Sequence, residues 1–231
     1  MQIPRFPNDP CLLITDAGLG SLVLSAMAAE QKNKDATRLY PAWWTSQTDM
    51  DLRIPAIDRA IDMQADLLSL QVIRDHAGYP EEPLPRSKPA SLGTHQTRML
   101  LDAATLAIQL GLKRVLWPIR AIGPDDDANP AELIDHIAIA IDRTLLTARL
   151  ATLDAQDQGG VEVTIETPIV DLTNHELSDL AADLNVPINS CWWTNQNLPD
   201  AQDHFNCWDH EPTTASMLEH RPQSASPATR S

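Results

Sequence analysis

Asp16-Ala17-Gly18-Leu19-Gly20-Ser21 joins a short apolar run, Cys11 to Thr15, to a stretch with apolar residues at helical spacing, Leu22, Val23, Ala26 and Met27. A strand, a tight loop and a helix in that order put free backbone N–H groups and the positive end of a helix dipole at the loop, a natural cradle for phosphate. Gly18, Gly20 and Ser21 suit that role. A plain strand-to-helix turn would use the same residues, because short glycine motifs are weak signals. Asp16 puts a carboxylate where a phosphate would sit. Two unit charges ~4 Å apart at an effective dielectric of ~20 cost about 4 kcal/mol, or about three decades of affinity. The same side chain is a good N-cap, able to satisfy the amides a phosphate would take. Asp16 therefore either plugs the cradle or carries Mg²⁺ for a nucleotide.

A second candidate lies near the carboxyl terminus. Cys207-Trp208-Asp209-His210 has the i, i+3 spacing of a zinc knuckle, and His can replace Cys on zinc. The position three residues further on is Thr213, no ligand, so His204 or Asp209 would have to complete the set. Buried thiols and a surface His explain the same residues without a metal. Trp192, Trp193 and Trp208 could stack on a flat heterocycle or simply pack the segment onto a sheet. His95, His136 and His175 have no Ser or Cys partner at motif spacing, so no catalytic residue is assigned.

The elements that must position these residues follow from periodicity. Strands are expected at 11–15, 37–44, 70–73, 114–117 and 161–165, and helices from Leu22, over 54–68, over 97–110, from Pro130 and from Asn174. Residues 79–93 carry four prolines and read as a loop. Gly111 follows the third helix as a C′ residue. Asn129-Pro130-Ala131-Glu132 opens a helix whose Ile134, Ile137, Ile141, Leu145 and Ala148 form one stripe expected to be buried. Thr173-Asn174-His175-Glu176 is a capping box. Alternating strands and helices of these lengths imply a doubly wound, mostly parallel α/β sheet, with ligands bound beyond the carboxyl ends of its strands. The expected organisation is an α/β domain over 1–186, a Cys/His/Trp segment over 187–213 packed on it, and a disordered tail over 214–231.

The loop position, Thr167-Pro168-Ile169-Val170-Asp171-Leu172-Thr173-Asn174-His175-Glu176-Leu177, and Asn189-Ser190-Cys191-Trp192 with the later Cys207 together resemble 7-cyano-7-deazaguanine synthase. That family belongs to the N-type ATP pyrophosphatases, with a Rossmann-like, adenine nucleotide alpha hydrolase-like fold. The resemblance runs from about Cys11 to His210. It implies ATP and Mg²⁺ as cofactors, adenylation of 7-carboxy-7-deazaguanine followed by amide and nitrile formation, and a structural zinc. Carried over residue by residue, it implies Asp16, Gly18, Gly20 and Ser21 at the nucleotide, Gly93 at a second nucleotide segment, and Cys191, Cys207 and His210 on zinc.

The departures cluster near the chemistry. Where the family reads Ser-Gly-Gly-x-Asp-Ser, this chain reads Asp16-Ala17-Gly18-Leu19-Gly20-Ser21, keeping the second Gly and the final Ser. Where the family reads Pro-Gly-Arg-Asn, only Gly93 of Leu92-Gly93-Thr94-His95 remains, with Arg98 one turn on as a possible substitute. The expected function is thus a degenerate homologue with impaired or lost ATP chemistry, or a non-catalytic binding or regulatory subunit that keeps the fold.

Composition sets the bounds. With 43% hydrophobic residues, 231 residues can bury a sizeable core. A formal charge of −15 argues against nucleic acid as a partner. No apolar run suits a bilayer and the first residues lack a secretory signal, so a cytoplasmic protein without a membrane partner is expected. A nucleotide or deazapurine and, by family, a second copy of the chain are the partners implied.

Overall fold

The computed structural model describes residues 10–30, 37–41, 50–74, 92–121, 130–156 and 161–194. Five strands, β1 (Cys11–Thr15), β2 (Thr37–Pro41), β3 (Gln71–Val72), β4 (Arg114–Leu116) and β5 (Thr164–Glu166), form one sheet in the order β3-β2-β1-β4-β5. Every pairing is parallel, with Leu13 opposite Leu39 on one side and Leu116 on the other. Five helices connect and cover it: α1 (Leu19–Glu30), α2 (Met50–Leu68), α3 (Leu92–Gln109), α4 (Pro130–Gln156) and α5 (Asn174–Asp183). The chain is a doubly wound α/β fold whose strand order reverses between β1 and β4.

The central position of β1 follows from its composition. All five residues are buried, as a strand covered on both faces requires. Successive side chains point to opposite faces. Cys11 and Leu13 join a core with α1, α2 and α5, while Leu12 and Ile14 join a second core with α3 and the small residues of α4. One alternating pentapeptide thus anchors both half-cores.

Element ends have local causes. Thr173 Oγ1 accepts from the Glu176 amide at 3.1 Å and the Glu176 carboxylate accepts from the Thr173 amide at 3.0 Å, closing the expected capping box on α5. Beyond α3, Gly111 adopts φ +69°, and the Leu112 amide turns back to the Ala107 carbonyl at 2.8 Å. That left-handed step suits glycine. β5 starts three residues later than the alternation suggests, because its ladder opens where the Thr164 amide reaches the Lys113 carbonyl, 2.8 Å away. α3 starts five residues early, which puts Gly93 inside its first turn instead of in a loop.

One expectation is overturned. Three large members of the α4 stripe face outward, Ile134 at 66% exposed and Ile141 and Leu145 exposed as well, while Ile137 packs partly buried against the core beside α3 and Ala148 is buried. The buried face is made of Ala140, Thr144, Thr147, Ala148 and Ala151. Small side chains there let α4 approach α3, which contributes Ala103, Ala104 and Ala107 to the same core. No helix among the described residues is long and apolar enough to cross a membrane.

The capping box generates a prediction. Thr173→Ala should cost about 1 kcal/mol in urea denaturation at neutral pH. Bonds from the Thr173 backbone and then its hydroxyl hold the Glu176 carboxyl below its ordinary range. A depressed carboxyl stabilises the fold above its unfolded-state range, and that contribution is lost as pH falls through the folded value. The gap between wild type and variant should therefore narrow in acid.

Candidate functional site

The switch point between β1 and β4 brings the loop 16–18 beside the chain leaving β4, which is where ligands bind in open α/β sheets. Gly18 precedes α1 and its carbonyl accepts the first helical bond from the Leu22 amide at 3.0 Å. The amides of Leu19, Gly20 and Ser21 form the first turn, whose N–H groups have no partner within a helix's own ladder.

Asp16 is oriented into this loop. Its Oδ1 accepts from the Gly18 amide at 2.9 Å and from the Ser21 hydroxyl at 2.8 Å. The expectation that Asp16 caps the helix itself needs adjusting: Gly18 stands at the cap, and Asp16 takes one amide and one hydroxyl from two residues upstream. The Ser21 hydroxyl also lies 3.0 Å from the Gly18 carbonyl. It has one proton for two acceptors, and the shorter contact to a charged oxygen is the stronger.

The loop backbone is clamped from below. Ala17 has φ +58°, a left-handed conformation that costs an L-residue roughly 1–2 kcal/mol. Its amide donates to Thr15 Oγ1 at 3.0 Å. Its carbonyl accepts from Gln64 Nε2 at 3.2 Å and from the Trp192 amide at 3.3 Å. Gln64 Nε2 also donates to the Ser190 carbonyl at 3.1 Å. Gln64 is 1% exposed, so its buried amide ties the loop to α2 and to the short 3₁₀ turn Ile188–Ser190, while the Trp192 amide ties it to the turn Trp192–Thr194.

The chain's own atoms stand close to all three glycines. A Cβ at Gly18 would lie 3.1 Å from Asp16 Oδ1. At Gly20 it would meet Ile169 Cδ1 at 3.0 Å and the Pro118 carbonyl at 3.4 Å. At Gly93 it would stand 2.9 Å from Arg143 Nη2. Arg143, from α4, donates to the Gly93 carbonyl and to Thr97 Oγ1. A cation thus stands at Gly93, but it is directed at the backbone; Arg98 is exposed. As arranged, Asp16 holds two of the donors that a phosphate at this loop would use.

Two further groups flank the switch point. Arg120, leaving β4, donates from Nη1 to Asn174 Oδ1 at 2.5 Å, and the Ala121 amide reaches the Val170 carbonyl at 2.9 Å. These bonds join the exit of β4 to the start of α5.

Of the metal candidates, Cys191 lies among the described residues. Cys191 is 2% exposed, and burial, helped by the Asp16 charge, holds its thiol well above the usual range. Burial likewise pushes the Cys11 thiol up to about 12. Both are free thiols. Cys207 and His210 lie outside the described residues, as do Trp208, Trp43 and Trp44. Among the described residues no group of three or more His, Cys, Asp or Glu side chains is placed to hold a metal ion. Trp192 and Trp193 are buried in the core shared with α1 and α2, so packing accounts for both.

Gln64, Arg120 and Arg143 are absent from the sequence-based site. Gln64 left a signal, a polar residue on the helix face that carries Ile57, Ile61 and Leu68. The other two left none.

The sequence matches no family model and no curated protein. Among solved structures, the chain is similar to the U34-tRNA thiolase NcsA from Methanococcus maripaludis with its [4Fe-4S] cluster, at 14% identity and a TM-score of 0.46 over 94% of this chain and 74% of that one. It is also similar to the N,N'-diacetylchitobiose deacetylase from Pyrococcus horikoshii, at 13% identity and a TM-score of 0.43 over 87% and 74%. The fold stands on its own strand order, and neither likeness bears on chemistry.

Gln64→Leu keeps the volume and removes both clamping bonds, leaving the Ala17 and Ser190 carbonyls short of a donor. We expect a loss of about 1–3 kcal/mol in equilibrium unfolding. A loss under about 0.5 kcal/mol, the range of a neutral surface change, would remove Gln64 from its role as the loop's anchor.

Proposed function

We propose that this chain is a degenerate homologue of 7-cyano-7-deazaguanine synthase in which ATP chemistry is impaired or lost. The order of the sequence segments from about Cys11 to His210 supports the kinship. The observation that carries the loss is the Asp16 carboxylate on the Gly18 amide and the Ser21 hydroxyl, the donors a phosphate would need. Nucleotidyl transfer depends on positioning and on charge neutralisation, so filling the cradle with a negative charge removes both at once.

The same observation favours a second reading, a binding or regulatory subunit that keeps the fold without catalysis. The clamp through Gln64 holds the loop firmly although its cradle is filled, which serves a stable scaffold as well as an active site. A nucleotide or a deazapurine is the ligand class for either reading.

Calorimetry with Mg-ATP tests the plug. Wild type should bind weakly or not at all. Asp16→Ser combined with Ala17→Gly, which also relieves the left-handed Ala17, should gain up to about three decades of affinity. No gain in the double variant would count against the plug. An assay for AMP and pyrophosphate with 7-carboxy-7-deazaguanine, ammonia and Mg-ATP separates the readings. Slow release means an impaired enzyme, none means a non-catalytic subunit, and brisk turnover by the wild type would sink both.

A further inference from the structure

We infer that the cleft between α2 and the two 3₁₀ turns is a binding site for a small aliphatic carboxylate. The cleft has a volume of about 160 Å³. A cavity of ~150 Å³ takes a molecule the size of benzene, so the occupant has about six to eight heavy atoms. One wall is α2, where Ala56, Ala60 and Met63 fall at i, i+4 and i+7 on a single helix face. Ser190, Cys191 and Trp192 of the turns form the other. The alanines leave the space, and with Trp192 and the thioether of Met63 they supply apolar contact to an alkyl chain.

Two polar groups set the chemistry of the occupant. Ser190 is fully buried, and its Oγ has no hydrogen-bond partner among the described residues. A buried hydroxyl left unpaired is costly, and one in a residue that lines a cleft can be satisfied by what enters. Arg59 lines the same cleft and is exposed, and its Nε donates to the Pro55 carbonyl one turn back at 3.1 Å. That bond steadies the guanidinium on α2, and no bond among the described residues takes Nη1 or Nη2. Such a fork matches a carboxylate. The lining holds this cation and no Asp or Glu, on a chain with 32 acidic residues against 17 basic ones. Inorganic phosphate would use the cation and the hydroxyl but not the apolar wall, and an uncharged alkyl compound would do the reverse. A short-chain carboxylate uses both. None of Asp16, Gly18 and Ser21 lines the cleft, so the site does not depend on the nucleotide reading.

Calorimetry on the full chain tests it, with hexanoate as the probe and hexanamide and inorganic phosphate as comparisons. Hexanoate should bind with a Kd of about 1 mM or tighter, and the other two about tenfold more weakly or less. Arg59→Met keeps the aliphatic stem and removes the charge; it should weaken hexanoate about tenfold and leave hexanamide unchanged. Ser190→Ala should weaken hexanoate about fivefold while raising the melting temperature of the free chain, because it removes a buried hydroxyl without a partner. A serine with a purely structural role would not show that pair of opposite effects. No binding of hexanoate up to ~10 mM overturns the proposal, whether the cleft is closed by the chain's own later residues or by anything else. Equal affinity for hexanamide, or hexanoate binding indifferent to Arg59→Met or to Ser190→Ala, overturns it equally.

Discussion

A single carboxylate oxygen at the end of the central strand is shared between a backbone amide and a hydroxyl, and the character of the whole crevice follows from it. Asp16 Oδ1 holds the Gly18 amide and the Ser21 hydroxyl at hydrogen-bond distance. A phosphate seated at a helix start draws on such donors and on the positive end of the dipole. A fixed negative side chain draws on the same resources and repels a second negative group from the volume it occupies. The loop therefore has the form of an anion site while its anion is already built into the chain.

What keeps that arrangement in place lies beneath it. Ala17 takes a left-handed conformation and its carbonyl is tied to Gln64 and to the Trp192 amide. Gln64 continues to Ser190, so one side chain joins α2, the loop and the first 3₁₀ turn. Around it, Cys11 and Leu13 on one face of β1 and Leu12 and Ile14 on the other lock the strand into both half-cores. Large aliphatics do not all face inward: Leu67 of α2 is exposed, and α4 buries alanines and threonines against α3 while leaving Ile134, Leu145 and Leu146 exposed.

Much of this was legible in the residues. The Cys11 to Thr15 run, the turn into α1, the Thr173 capping box and Gly111 are signals set by backbone chemistry within a few positions, and the structure has each where it was read, except that α1 begins at Leu19, three residues before Leu22. Periodicity found the α4 stripe but put Ile134, Ile141 and Leu145 on the wrong side, while Ile137 and Ala148 do pack inward. A 3.6-residue repeat locates a face without saying what lies against it, and small residues opposite can pack more closely than leucines. Strand ends were also misplaced where pairing, rather than alternation, decides them, as at Thr164. Of the site, the local part around Asp16, Gly18 and Ser21 was readable. The contributions of Gln64, Arg120 and Arg143 come from 47 to 54 residues away along the chain, and no local pattern announces such a contact.

The central claim is a statement about which group occupies the Gly18 amide and the Ser21 hydroxyl when nucleotide is abundant. A crystal structure of the wild-type chain grown with Mg-ATP addresses it directly. The account predicts Asp16 Oδ1 still within hydrogen-bond distance of both groups and no triphosphate at the loop. A nucleotide whose phosphates rest on Gly18 and Ser21, with the Asp16 side chain rotated away, would contradict it.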